Sequence, residues 1–421
     1  MTLIERSFRE KIVLVGAVFP GDSPMAVEES LTELALLVDT AGADVVGRLT
    51  QRMAARDPGY FLGKGKVEEL KELSYATDCD TVIFDDELTP AQQRNLEKVL
   101  GRTAIDRTAL ILDIFAQNAK SMEGKAQVEL ALLSYRLPRL RGRGISLSQQ
   151  TGRIGTRGPG ETKLEEDRRR IQARISRLKH QLDDYAKNRR VQASSRVASR
   201  TQTASLVGYT NAGKSSLINA LCDSDVFVEN KLFATLDTRT RRMLLPGGEG
   251  FLLSDTVGFI KKLPHQLIES FRSTLEVVRE SDFLLHVVDA TSPDPHGQMR
   301  AVREVLIEID AENVRELLVF NKIDLVEDLS TLRLDFPQAV FVSAVRGDGL
   351  EELRLQIAAL IREQTKIYYL KIALSRGDIL ARLHSEGEIL SMTSTDEGYE
   401  ITARLDSGSL GLFEEFVVPS L

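Results

Sequence analysis

Gly208-Tyr209-Thr210-Asn211-Ala212-Gly213-Lys214-Ser215 fits the spacing G-x-x-x-x-G-K-[ST], a pattern that can cradle phosphate. Its glycines let successive backbone N–H groups converge on a β-phosphate beside a helix N-terminus. Lys214 supplies a point charge to the β- and γ-phosphates, and the Ser215 hydroxyl is a ligand for Mg²⁺. Ala204–Val207 before it reads as a strand, and the helix that opens at Ser216 runs to Leu221, which is the context the pattern requires. Downstream, Leu252–Ser254 reads as a strand ending in Asp255-Thr256-Val257-Gly258. Asp255 can hold Mg²⁺ through water, and the Gly258 N–H can bond a γ-phosphate. Another strand, Leu317–Phe320, ends in Asn321-Lys322-Ile323-Asp324. A carboxylate there accepts hydrogen bonds from N1 and the exocyclic amine of guanine. Adenine offers no such donor pair, so Asp324 selects against ATP. Ser343-Ala344-Val345 follows the strand Ala339–Val342 and suits a backbone contact to the base. Four such segments, each at the carboxyl end of a strand, match the ligand-site rule for open α/β sheets. They point to GTP and GDP as ligands.

Between the first two segments lies Phe233-Ala234-Thr235-Leu236-Asp237-Thr238-Arg239-Thr240-Arg241, the expected first switch. A threonine here would complete the Mg²⁺ shell through its hydroxyl. Thr235 is the choice, with Thr238 and Thr240 as competitors that spacing leaves open. Lys214, Thr235 and Gly258 are thus the residues expected to carry hydrolysis. Phe259 occupies the position where some GTPases place a glutamine to orient the attacking water, and a phenyl ring cannot do so. Intrinsic turnover is therefore expected to be slow, or assisted from elsewhere. Asn211 could ligate K⁺ near the α- and γ-phosphates and supply the charge of an arginine finger; the competing role is an asparagine that stabilises its own loop.

These segments need a scaffold, and the chain has ample length for one. At 421 residues, 42% hydrophobic and 28% charged, it fits a soluble protein of two to four domains. No apolar run reaches the roughly 18–20 residues of a membrane span. Cys79 and Cys222 stand alone, which excludes a disulfide framework or a cysteine zinc site and suits a reducing cytoplasm. The net charge of −7 does not mark the whole chain as a nucleic-acid binder, and no DNA partner is expected. The average hides a contrast, however. Arg139–Arg200 holds 17 basic and 6 acidic residues, a net of +11 within an otherwise acidic protein.

The first hundred residues alternate strand patterns (Ile12–Val18, Val45–Leu49, Thr81–Phe84) with helix patterns (Met25–Thr40, Val67–Ala76 and one starting at Thr89-Pro90). This implies a small parallel sheet. Gly63-Lys64-Gly65-Lys66 could hold an anion, although a solvated helix start is the plainer reading. Asp113–Ala186 is helical in pattern. Ala126–Leu137 should stop before Pro138, and Leu164, Ile171, Ile175, Leu178, Leu182 and Tyr185 form a heptad-like seam on a second helix. The Gly/Arg-rich loop between the two carries Arg139, Arg141, Arg143, Arg153 and Arg157, expected RNA contacts at the tip of a helical arm. Gln192–Gln202 reads as a linker. Beyond about Arg362 the pattern is strand, helix, strand, strand.

On Asp106–Ala116, Leu137–Leu140, Ile154-Gly-Thr-Arg-Gly-Pro-Gly-Glu-Thr162, Gly208–Ser215, Phe233–Asp237 and Asp255–Ile260, the chain resembles the HflX family. That family lies in the Obg–HflX group of translation-factor-related GTPases, and the resemblance covers nearly the whole chain. It implies Mg²⁺ contacts at Ser215 and Thr235, and a hydrophobic residue at Phe259. It implies GTPase activity stimulated on the large ribosomal subunit and its rRNA, and splitting or rescue of stalled ribosomes under stress. Ser216 departs from the threonine of many members, and Asp237-Thr238-Arg239 from an Asp-Pro-Thr.

The expectation is a multidomain α/β protein acting as a cytoplasmic monomer without integral membrane association. Residues 1–112 form an N-terminal α/β subdomain, 113–200 a helical hairpin with basic loop and linker, 201–364 a G domain and 365–421 a C-terminal α+β domain. Two other readings are a GTP switch that binds a protein or membrane partner, and an RNA-remodelling ATPase driven by the N-terminal domain.

Overall fold

The structure, a computed structural model, describes residues 9–140, 159–199, 202–222, 232–233, 239–245, 250–363, 365–395 and 398–418. The N-terminal part runs β1 (Lys11–Val18), α1 (Pro24–Ala41), β2 (Asp44–Arg52), α2 (Lys64–Ala76), β3 (Thr81–Phe84), α3 (Pro90–Leu100), β4 (Thr103–Asp106) and α4 (Arg107–Asn118). Its strands make a parallel sheet of order β2-β1-β3-β4. A parallel strand covered on both faces must be apolar throughout, and β1 is buried from Ile12 to Ala17. α3 begins with a capping box: the Thr89 hydroxyl accepts from Gln92 N, and the Gln92 side chain accepts from Thr89 N. The Gly63–Lys66 segment is an ordinary helix start, with Gly63 N–H bonded to Gln51 and Lys66 paired with Glu69.

α5 (Met122–Arg139) and α6 (Pro159–Ser199) follow. α5 does not stop before Pro138 but includes it. A proline this close to a helix end forfeits a single N–H bond, and the Leu140 N–H still reaches Arg136 O. The α6 helix also absorbs most of the expected linker, because it continues to Ser199. Four of the six expected seam positions pack: Leu178 and Leu182 lie on Ala126 and Leu130, with Ile175 and Tyr185 alongside; Ile171 is half-buried outside that cluster, and the Leu164 side chain lies outside the described residues. Arg174 forks onto both oxygens of Glu129 at 2.7 and 2.6 Å across the same interface.

The third part runs β5 (Thr203–Gly208), α7 (Lys214–Leu221), β6 (Arg239–Leu244), β7 (Gly250–Asp255), α8 (His265–Arg279), β8 (Phe283–Asp289), α9 (Pro295–Glu308), β9 (Arg315–Asn321), α10 (Ser330–Asp335), β10 (Val340–Phe341) and α11 (Leu350–Glu363). The sheet order is β10-β9-β8-β5-β7-β6, with β6 antiparallel at the edge. The final part is β11 (Thr365–Ile372), α12 (Gly377–Glu386), β12 (Glu388–Thr395), β13 (Gly398–Asp406), α13 (Ser407–Phe413) and β14 (Val417–Val418), an antiparallel sheet of order β12-β13-β11-β14. Among the described residues no helix is long and apolar enough to cross a membrane.

One apolar core joins the first and third parts. Leu31, Ile111 and Phe115 of the N-terminal part belong to the same cluster as Tyr209, Phe233, Phe259 and Phe271. α5 and α8 add a buried hydrogen bond, Gln127 to Thr274. Beside this core lies a charged junction. Arg107, 2% exposed, donates to Asp85 at 2.8 Å and to Glu33. Glu33 also accepts from the Tyr209 hydroxyl, and Asp85 and Asp86 both pair with Lys262. Burial works against the Arg107 charge, but Glu33 and Asp85 outweigh it and raise the guanidinium pKa.

Arg139 departs from its expected role. Its guanidinium lies 3.5 Å from the centre of the Tyr135 ring and donates to Leu88 O, Gln93 and buried Asp106. It ties α5 to the N-terminal sheet instead of standing at the tip of an arm.

Replacing Arg107 by methionine should strip Glu33 of its cationic partner among those at the junction and leave Asp85 with Lys262 alone. The expected cost is about 3–5 kcal/mol, read as a lower urea midpoint by circular dichroism of the full chain. An unchanged midpoint would mean that the junction contributes nothing to stability.

Candidate functional site: a phosphate cradle with a base pocket

Gly208–Ser215 turns from β5 into α7, so the loop ends on a helix N-terminus, as its spacing requires. Its sharp path needs a left-handed residue at Gly213 (φ 90°), where a Cβ would stand 2.2 Å from Asn321 Nδ2. Asn211 takes the same region at φ 60°, a conformation that asparagine tolerates better than most residues. Lys214 is buried. Its ammonium donates to Gly208 O and Tyr209 O, both at 3.0 Å, and so stays under the loop it serves. Burial pushes it down to about 8, against a smaller opposing pull from Asp255. A phosphate facing that ammonium would restore its full charge.

The Ser215 hydroxyl donates to Asp255 Oδ2 at 2.8 Å. A hydroxyl and a carboxylate side by side are hard oxygen donors, and the pair fits Mg²⁺ in a shell completed by water and phosphate. Thr256 is buried, with its hydroxyl bonded to Leu206 O, and Val257 joins the core. Gly258 approaches the phosphate loop so closely that a Cβ would lie 2.7 Å from Thr210 Cα and 3.2 Å from Lys214 Nζ. Phe259 pairs its backbone with the loop: its N–H reaches Gly208 O at 3.1 Å, and its carbonyl accepts Thr210 N–H at 2.6 Å. Its ring is in the core, 1% exposed, so this position presents no polar group to an attacking water.

The base pocket is built from three strand ends. Asn321 donates to Ala212 O and accepts from Ala344 N–H, both at 3.0 Å, and thereby joins the phosphate loop to the loop after β10. Ser343 Oγ donates to Asp324 Oδ1 at 2.7 Å and fixes the carboxylate that would face guanine. Lys322 pairs with Asp289 at 2.6 Å, Ile323 packs at the edge of a small core near Phe320, and Val345 is 84% exposed.

In the first switch, Phe233 is described and Ala234, Thr235, Leu236, Asp237 and Thr238 lie outside the described residues. Thr240, the third threonine of that segment, sits in β6 with its hydroxyl bonded to Ser254. Arg141, Arg143, Arg153 and Arg157 also lie outside the described residues.

Several contacts at the site had no signal in the spacing. The Tyr209 side chain does not face the cradle. It bridges Glu33 and the Lys261 N–H, the latter at 2.7 Å. Asn118 Nδ2 donates to Phe233 O at 2.9 Å across 115 residues of sequence. Such pairings follow from tertiary packing and leave no local pattern.

Three family models match in succession. One described as GTP-binding GTPase N-terminal covers residues 28–116, one described as GTP-binding GTPase Middle Region covers 118–196, and one described as 50S ribosome-binding GTPase covers 203–322. The GTPase HflX of Lacrimispora saccharolytica is 46% identical over 408 residues, 96% of each chain. That of Caldanaerobacter subterraneus subsp. tengcongensis is 43% identical over 397 residues, 94% of this chain and 91% of the relative. A solved GTP-binding protein of Sulfolobus solfataricus in complex with GDP is 24% identical, matches 83% of this chain and 98% of its own, and gives a TM-score of 0.43. With relatives this similar along almost its full length, the chain belongs to the HflX family of GTPases.

Proposed function

We propose that this GTPase is Mg²⁺-dependent, binds the large ribosomal subunit, and acts in splitting or rescuing stalled ribosomes under stress. The single observation that carries the reading is the set of bonds from the nucleotide loops to the N-terminal part. Tyr209 bonds Glu33, and Lys262, just past the Asp255–Phe259 segment, bonds Asp85 and Asp86. Any rearrangement of those loops on GTP hydrolysis changes what the N-terminal part and its helical arm are held against. The +11 charge of Arg139–Arg200 supports an RNA target for the arm, as does the ribosome-binding description of the matching family model. Arg139 is engaged within the fold, so the proposed phosphate contacts rest on Arg141, Arg143, Arg153 and Arg157. We place this work in the cytoplasm, with no DNA partner and no membrane insertion.

In hydrolysis of GTP to GDP and phosphate, Lys214 neutralises the β- and γ-oxygens and the Gly258 N–H supports the γ-phosphate. Ser215 and Thr235 would hold Mg²⁺, which would supply positive charge against the phosphates. Asn211, already in a left-handed turn of the loop, is the proposed K⁺ ligand.

With a non-hydrolysable GTP analogue, the chain should co-sediment with large ribosomal subunits. The double variant Arg153→Ala, Arg157→Ala should lower the salt slope by roughly 1–2; unchanged binding and slope would end the arm model. Asp324→Asn should cost roughly a hundredfold or more in GTP affinity and improve binding of xanthosine triphosphate, and unaltered GTP affinity would refute the base contact. Turnover should be faster in K⁺ than in Na⁺, and Asn211→Ala should abolish the difference. Equal rates in both salts for the unmodified chain would remove that role.

A further inference from the structure

Phe233 holds a left-handed backbone (φ 56°), a strained conformation for a bulky residue that persists only where the surroundings over-determine it. Here they do so from two sides. Its N–H donates to Thr210 Oγ1 at 3.0 Å, and Thr210 is the third residue of the phosphate loop. Its carbonyl accepts from Asn118 Nδ2 at 2.9 Å, and Asn118 is the last residue of α4 in the N-terminal part. The ring is 2% exposed and meets Phe115, one helical turn before Asn118, edge-on with centroids 4.7 Å apart. Phe115 in turn packs edge-on against Phe271 of α8. The start of the first switch is thus clamped between the phosphate loop and a helix from another part of the chain.

We infer that Asn118 is a positioning residue for GTP hydrolysis, acting through Phe233 on the segment that enters the reaction site. Thr210 connects the clamp to the chemistry. It is the residue against which Gly258 closes, so tightly that a Cβ at Gly258 would also stand 3.2 Å from the Lys214 ammonium. An anchor at Phe233 restricts where the next two residues can reach, to within roughly 7 Å of a fixed point. The inference rests on the proposed role of Thr235, which is two residues on. Asn118 belongs to neither the phosphate loop nor the base pocket. Its amide fixes a carbonyl that would otherwise be free to turn, and a helix outside the nucleotide-binding sheet thereby sets the entry angle of the switch.

The two halves of the clamp have separable consequences. GDP is held by the phosphate loop and the base pocket, none of which depends on the Phe233 carbonyl. Loss of the Asn118 donor should therefore leave GDP binding alone and slow turnover.

The experiment uses the purified full chain. Turnover of GTP is followed across a Mg²⁺ titration, and the affinity for a fluorescent GDP analogue is measured in parallel. Asn118→Ala and Asn118→Asp, the latter of the same shape but without a donor, should each lower kcat roughly tenfold and raise the half-saturating Mg²⁺ several-fold. GDP affinity should stay within twofold. Asn118→Gln, which keeps the amide on a longer stem at this half-buried position, should recover most of the rate. Thr235→Ala is run alongside. If it leaves the Mg²⁺ requirement unaltered, the metal assignment fails, whatever Asn118 does. With that assignment intact, an unchanged or raised kcat in Asn118→Ala would overturn the inference. Parallel losses of GDP affinity and thermal midpoint in both donor-less variants would do so too, because they would mark Asn118 as merely structural.

Discussion

A guanidinium removed from water must find its counter-charges in the fold, and Arg107 finds them where two parts of the chain meet. Glu33 and Asp85 come from the N-terminal sheet and helices, yet each has a second partner in the nucleotide-binding part, Tyr209 and Lys262 respectively. The arrangement cannot be opened on one side only. Withdrawing Lys262 leaves Asp85 with less positive charge around it, and turning Tyr209 away removes a donor from Glu33. Burial raises the Tyr209 phenol pKa, as does the nearby charge of Glu33, so the hydroxyl remains a donor at any physiological pH. Because Tyr209 is the second residue of the phosphate loop, the seam between the parts reaches that loop with no intervening layer.

The elements that could be read directly from the chain were those whose signals are local. The phosphate loop, the Asp255–Gly258 segment and the Asn321–Asp324 segment carry their chemistry in a few adjacent residues, and each lies at a strand end as the alternating pattern implied. The capping box at Thr89 and the seam of Leu178 and Leu182 were legible for the same reason. Other features depart from a local rule because the neighbourhood overrides it. Pro138 does not end α5, since a proline in a last turn displaces little. Gln192–Ser199 lacks an apolar period, yet it continues a helix already nucleated by a packed stretch upstream. Arg139 looked like one more charge in a basic run, whereas Asp106, buried 33 residues away in sequence, claims it.

What no local pattern could disclose is the set of pairings across the seam. Lys262 and Asp85 are 177 residues apart, and Phe233 and Asn118 are 115 apart. These side chains are unremarkable in type and spacing, and only the closing of one apolar core over both parts brings them together. The identity of the nucleotide was therefore accessible from motifs, while the way the rest of the molecule is coupled to it was not.

α6 runs for 41 residues, far beyond the stretch that Ile175, Leu178, Leu182 and Tyr185 fasten to α5. Its first residue, Pro159, stands roughly 24 Å along the helix axis from Ile175. Were the length beyond it to pivot, its fulcrum would be that fastened stretch, steadied by the Arg174–Glu129 fork. By that geometry a tilt of about 10° would swing the far end by roughly 4 Å, a displacement comparable to the width of a side chain. A shift too slight to disturb packing at the pivot would be magnified into a change of register at the tip.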